Sequence, residues 1–182
     1  MRVLIPLADG VEELEAVTVI DVLRRGGVDV TSAALGDTLP VKGSRGVTLL
    51  ADAVWSALDI ADFDALVLPG GGKGTEALLG DTRVIEAVQA YDEEGKYVAA
   101  LCAAPTVLAA AGILDNRRAT CYPTCAEELG KAYDNAPVIA DGNVITSQGP
   151  GTSMLFALVL VQHLVGDEAA HRVADGLLTT FG

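Results

Sequence analysis

Short apolar runs at residues 3–7, 28–34, 65–68, 98–101 and 144–146 alternate with stretches of helical periodicity. No other feature limits the possible folds as strongly. Runs that are apolar at every position suit strands buried on both faces, and such strands belong to parallel sheets covered by their crossover helices. Ala16, Val19, Ile20 and Leu23 follow the i, i+3, i+4, i+7 rule, and Gly26-Gly27 stops that helix. Further helices are expected over 82–94, capped by Gly95, over 106–111, ended by Gly112, and over 152–165 and 168–178. Residues 41–47 read as a small hairpin off the main sheet. The expected fold is α/β: a doubly wound, mainly parallel sheet with helices on both faces.

The chain has 182 residues, 51% of them hydrophobic, and no repeat, low-complexity tract or linker divides it. A single domain over 1–182 is therefore expected. Lys and Arg number 12 against 25 Asp and Glu, for a formal charge of -13. A surface of that sign repels phosphate backbones and anionic lipids, so neither duplex nucleic acid nor a membrane is an expected partner. The first residues reach Asp9 and Glu12 before any long apolar run forms, unlike a signal peptide. Residues 97–114 carry no charge and approach the length of a membrane span, but their alanines and the central Pro105 read better as a buried strand entering a helix. Three cysteines, an odd number, argue against a secreted disulfide framework. The expected location is cytoplasmic.

In open α/β sheets, ligands bind beyond the carboxyl ends of the strands. That directs attention to residues 9–15, 69–74, 102–105 and 147–153. The strongest signal is Ala100-Leu101-Cys102-Ala103-Ala104-Pro105, where a strand ends, a helix begins and small residues flank the cysteine. A nucleophile elbow has this form, because its tight turn has no room for larger neighbours. A helix N-terminus would favour the thiolate, lowering the thiol from about 8.5 toward 3.5–7.5. The same N–H groups could hold an oxyanion. The competing reading is an inert buried cysteine serving as a small hydrophobe.

Glu15 is the candidate partner, sharing a helix face with Val19 and Val22. A carboxyl in apolar surroundings stays protonated more readily and can donate a hydrogen bond to a thiolate. The plainer alternative makes Glu12, Glu13 and Glu15 surface acids that complement the helix dipole, and for Glu12 and Glu13 it is favoured. The glycines of 69–74 let the backbone turn sharply and face N–H groups toward a ligand. No Walker A lysine-serine pair follows. Residues 72–77 match a dinucleotide fingerprint only loosely, without the acid expected at the end of the next strand, so no nicotinamide site is expected.

These segments together resemble the ThiJ/PfpI superfamily, in its branch of the parkinsonism-associated protein and the bacterial YajL-type proteins. The matching stretches are residues 9–15, 22–27, 44–47, 66–74, 99–106 and 146–152, spread over nearly the whole chain. The resemblance implies a flavodoxin-like sandwich, usually a homodimer. It implies Cys102 as an oxidisable nucleophile, Glu15 as its hydrogen-bonded acid, and backbone N–H groups of Gly71 and Ala103 around the sulfur's anion. Arg45 and Arg25 resemble residues that approach this pocket at the dimer interface. Many members place a histidine where Tyr122 stands here, and a phenol with a pKa near 10 is a poor proton acceptor. A Cys–His peptidase or amidotransferase is disfavoured accordingly. His163 and His171 read as helix-face residues. Cys121 and Cys125 fall near the same pocket by this likeness, as buried thiols by default, with a resolving thiol as the alternative.

Two functions are weighed. What the resemblance implies first is cofactor-free, metal-free glyoxalase III or deglycase-type chemistry on methylglyoxal-like α-oxoaldehydes or glycated adducts. Cys102 would form a hemithioacetal and Glu15 would move the protons. The alternative is a redox-sensing or chaperone-like stress protein, whose Cys102 is oxidised to the sulfenate and sulfinate.

Overall fold

The computed structural model describes residues 1–182. Strand β1 (Arg2–Leu7) leads into helix α1 (Glu13–Arg25), and β2 (Asp29–Ala34) returns parallel to β1. The hairpin β3 (Pro40–Lys42) and β4 (Thr48–Leu50) forms a separate two-stranded sheet, and the two-residue β5 (Ala53–Val54) pairs with β2. Then come β6 (Ala65–Leu68), α2 (Gly72–Gly80), α3 (Thr82–Glu93), β7 (Tyr97–Leu101) and α4 (Pro105–Ala110). The short α5 (Ala126–Leu129) precedes β8 (Val138–Asp141) and β9 (Val144–Ser147), and α6 (Ser153–Leu164) and α7 (Asp167–Gly176) close the chain.

The main sheet has the order β5-β2-β1-β6-β7-β9-β8, parallel throughout except for the antiparallel edge pair β8–β9. Alternation within the apolar runs divides the core between its two faces. Val3, Ile5 and Leu7 point to one side, with the buried faces of α1, α6 and α7. Leu4, Leu66, Leu68, Val98 and Ala100 point to the other, with residues of α2, α3, α4 and α5. The sheet is thus covered on both faces, as the apolar runs require. Residues 97–114, charge-free in sequence, resolve into β7, α4 and the turns after it, and no helix is long and apolar enough to cross a membrane.

From β1 the chain moves to β2 on one side and later to β6 on the other, so β1 and β6 flank the topological switch point. Ligands collect there in sheets of this kind. The segments carrying Glu15, Gly70, Cys102 and Gly149 all follow strand carboxyl ends at or beside this point.

Candidate active site

Cys102 immediately follows the last residue of β7 and has φ 62°, in the left-handed region that non-glycine residues rarely occupy. Two hydrogen bonds hold it there: its N–H donates to the Ser147 carbonyl (2.9 Å), and its own carbonyl accepts from the Tyr122 N–H (2.7 Å). The strand-to-turn conformation is that of an elbow. It presents the sulfur at the carboxyl edge of the sheet, where the side chain is partly exposed.

Glu15 reaches the same place from the first turn of α1 and is fully buried. Its Oε2 accepts from the Gly70 N–H at 2.8 Å, while its buried Oε1 has no well-formed partner. Gly70 separates the two groups. A side chain there would meet Cys102 Cβ at 2.6 Å and Glu15 Oε2 at 2.8 Å, so only glycine lets carboxyl and thiol approach across it. Next to it Gly71, at φ 97°, turns the chain into α2 and has its N–H toward the sulfur. A Cβ on Gly71 would collide with the Gly10 carbonyl and the Glu12 nitrogen.

Burial pushes the Glu15 carboxyl up to about 7, helped by the charge of Glu12 and opposed by contact with the Cys102 thiol and by the Gly70 N–H. The thiol is pushed up to about 12, first by burial, then by the charge and contact of Glu15, while the N–H groups of Gly71 and Ala103 pull it down. This corrects the expectation of a thiolate favoured by a helix N-terminus. The helix after Cys102 begins only at Pro105 and is six residues long, so its dipole is weak. Burial and the neighbouring carboxylate outweigh it. The two groups form a coupled pair. Moving the thiol proton onto Glu15 removes the charge that disfavours the thiolate, and the neutral carboxyl then offers Oε1–H as a donor.

The other expected residues divide. Tyr122 lies beside the site, with its ring against Gly149 and that glycine near the Cys102 sulfur. Arg45 is 80% exposed, with Nε 3.9 Å from Glu12 Oε2. It lines a polar cleft of about 540 Å³ with Asp9, Glu12, Lys42 and Lys73, and Cys102 is not part of that lining. Arg25 is not brought to the pocket within the chain. It lies at the far end of α1, ten residues or about 15 Å from Glu15, paired with Asp21 at 2.7 Å. Cys121 is fully buried in the core, where burial pushes its thiol up to about 12. All three cysteines are free thiols. No His, Cys, Asp and Glu side chains gather in a group that could hold a metal ion. His163 packs edge-on against Tyr97 and His171 against Phe181, on the last two helices.

Two residues escaped the sequence reading. Gly70 sits within the conspicuous glycine run, but which glycine separates carboxyl from thiol depends on tertiary packing. Glu13, read as a surface acid, is buried. It accepts from the backbone N–H groups of Arg45 (2.9 Å) and Val47 (3.3 Å) and from the Ser44 hydroxyl (3.1 Å), which ties the hairpin to α1. Nothing in residues 12–15 alone signals a hairpin folding over them.

The DJ-1/PfpI family pattern matches residues 1–163. The chain belongs to the DJ-1/PfpI family. Among family members, it is 43% identical over 182 residues to Protein DJ-1alpha of Drosophila melanogaster, covering 98% of this chain and 84% of that protein. It is 36% identical over 178 residues to a Caenorhabditis elegans protein named glutathione-independent glyoxalase DJR-1.2, covering 96% of this chain and 94% of that one. The crystal structure of Drosophila melanogaster DJ-1beta superposes with a TM-score of 0.95 at 41% identity, covering 99% of this chain and 98% of that one.

Proposed function

We propose that this member of the DJ-1/PfpI family converts methylglyoxal-like α-oxoaldehydes to α-hydroxy acids without cofactor or metal, and does so as a homodimer. The observation that carries the reading is the juxtaposition at Gly70: a strained cysteine on one side, a buried carboxyl near pKa 7 on the other. A general acid–base works best when its pKa lies near the working pH. The glyoxalase name of the Caenorhabditis elegans relative supports the same chemistry.

The steps balance without an external redox partner. Glu15 takes the Cys102 proton as the sulfur bonds to the aldehyde carbon. The resulting oxyanion, facing the Gly71 and Ala103 N–H groups, is then protonated by Glu15 to give a hemithioacetal. Glu15 next removes the proton on that carbon and delivers one to the neighbouring carbonyl carbon, with hydroxyl protons moving accordingly. The product of this transfer is the thioester of the hydroxy acid. Water cleaves the thioester, releasing the acid and restoring the thiol. One carboxyl serves every transfer, because Tyr122 stands where a histidine would have shared the work.

The test is hydroxy-acid formation from methylglyoxal by purified protein. Wild type is expected to form lactate, Cys102→Ser to form none, and Glu15→Gln to be slower by about 10²–10⁴-fold. The wild-type kcat/KM should rise through pH 7 as Glu15 ionises, a step absent from Glu15→Gln. Equal inactivity of wild type and Cys102→Ser overturns the reading.

A second reading rests on the Gly71 and Ala103 N–H groups, which favour any negative charge at position 102. A sulfenate or sulfinate formed by peroxide would meet the same donors. Oxygen adducts on Cys102 before Cys125 or Cys121 after mild peroxide treatment, in a protein that makes no lactate, would favour redox sensing.

A further inference from the structure

Of the 12 lysine and arginine side chains, nine stand in ion pairs with carboxylates. Lys42, Lys73 and Lys131 do not, in a chain with 25 acidic residues. Two of those three line one cavity, the polar cleft of about 540 Å³ that also holds Arg45. Every other residue lining it is Asp9, Glu12, Ser44 or glycine, so an apolar ligand finds no wall there. Hydrogen bonds build the cleft from the hairpin, the loop after β1 and the start of α2. The Gly10 N–H donates to the Lys42 carbonyl at 2.7 Å, and Gly10, at φ 89°, packs so closely on Lys73 that a Cβ there would lie 2.5 Å from Lys73 Cβ. The Lys42 N–H donates to Asp9 Oδ1 at 2.8 Å, and the Ser44 hydroxyl to Glu12 Oε2 at 2.8 Å. The walls are therefore fixed before any ligand arrives, which lowers the ordering cost of binding.

We propose that this cleft is a binding site for inorganic phosphate, held by Lys42, Lys73 and Arg45 through its charge and by a carboxylate of Asp9 or Glu12 through its remaining proton. Three cations against two carboxylates leave the cleft with a positive excess, on a chain whose formal charge is -13. Asp9 Oδ2 and Glu12 Oε1 accept no hydrogen bond within the chain, since each carboxylate uses its other oxygen. A fully deprotonated anion is repelled by those oxygens. Hydrogenphosphate instead carries an O–H that donates to one of them, a charge-assisted hydrogen bond. Sulfate matches it in charge and shape but has no proton to give, so the carboxylates select against it. Gly72 and Lys73 add donors at the cleft wall: as the first residues of α2 their N–H groups have no intrahelical acceptor, and no other carbonyl takes them. The inference stands apart from the oxoaldehyde reading, because Cys102 does not line the cleft.

Isothermal titration of the purified protein with phosphate and with sulfate, at pH 8 and fixed ionic strength, compares two dianions that differ in one proton. Phosphate is expected to bind saturably, and sulfate about tenfold more weakly or worse. Lys42→Met and Lys73→Met should each weaken phosphate by about fivefold. Lys131→Met removes the same charge from a different cavity and should change the affinity by less than about twofold. Asp9→Asn combined with Glu12→Gln puts amide donors where free carboxylate oxygens stood, while Asn keeps an oxygen for the Lys42 N–H. That variant should lose the preference for phosphate over sulfate. A second readout locates the ion: in nitrogen-15 NMR spectra, phosphate should shift the amides of Gly72 and Lys73. The proposal is overturned by an absence of saturable phosphate binding, by equal affinity of the wild type for the two anions, or by unshifted Gly72 and Lys73 amides. Equal weakening in Lys131→Met and Lys73→Met also overturns it, since the attraction would then be diffuse rather than built into the cleft.

Discussion

Glu15 has no exposed surface, and only one of its two carboxyl oxygens is hydrogen-bonded. A carboxyl so placed costs the fold stability once it ionises, and the sign of that cost is testable. Its folded pKa of about 7 lies above the ordinary 4.5, so between those values the native state holds a proton that the unfolded chain has released. The favourable contribution of the neutral carboxyl is complete below pH 4.5 and is lost as pH rises through 7. At about 1.4 kcal/mol per pKa unit the loss amounts to about 3 kcal/mol. Glu15→Gln cannot ionise and should exceed wild type in unfolding free energy by up to that amount at pH 8, with the gap closing near pH 4. Urea unfolding of both proteins at the two pH values measures it. A gap independent of pH would show that the buried carboxyl does not titrate as argued. Cys102 adds a second local cost, since a left-handed backbone at a non-glycine residue is unfavourable by about 1–2 kcal/mol. Backbone strain and a buried titratable carboxyl meet at one point, a combination that marks it as a candidate site.

Helices α1 and α6 pack where the end of α1 has no side chain. A methyl on Gly26 would lie 2.9 Å from Val161 Cγ1 and 3.0 Å from Cγ2, although φ -71° is open to any residue. Gly26→Ala should therefore destabilise by about 1–3 kcal/mol through overpacking. In a Val161→Ala background the same change should cost much less, because the obstructing methyls are gone. Equal costs in the two backgrounds, from denaturant midpoints, would remove this contact from the account. Elements with dense apolar signals were also the legible ones. The buried runs of β1, β6, β7 and β9 stand within a residue or two of their sequence positions, since each is mostly apolar and buried on both faces. The edge strand β8 was missed because Ala140 points to solvent and only Ile139 is buried. Helix α2 was missed because its first turn is Gly-Lys-Gly, poor in helix propensity and held by packing. At the site the elbow was legible from its small neighbours. The acidity of Cys102 was not, because it depends on the depth of the sulfur and on a carboxylate 87 positions away in the chain.

At the scale of the molecule, a formal charge of -13 sits on a surface where several exposed apolar side chains share one corner. Val17 and Ile20 of α1 and Leu49 and Leu50 of the hairpin line a single groove. Val17 is 49% exposed and Leu50 73%, and beside them Leu14 is 52% and Val47 53% exposed. Glu13 joins these two elements, so the patch is built on one rigid corner rather than on a free loop. A second copy is the occupant proposed here, because a two-fold pairing lets the same patch cover itself. Like charges on the two copies oppose that pairing over a range set by salt, with a Debye length of about 30 Å at 0.01 M and 10 Å at 0.1 M. Association should therefore tighten as salt rises, the reverse of an interface held by opposite charges. Light scattering at 0.15 M salt should give twice the 18.7 kDa chain mass, falling toward the single-chain value in dilute buffer at low concentration. Val17→Asp combined with Leu50→Asp should give the single-chain mass in both buffers while leaving the far-ultraviolet circular dichroism unchanged. A wild type that stays at single-chain mass at micromolar concentration and high salt would show that these side chains serve some other contact. The hairpin carrying Arg45 would then border the polar cleft of one chain alone.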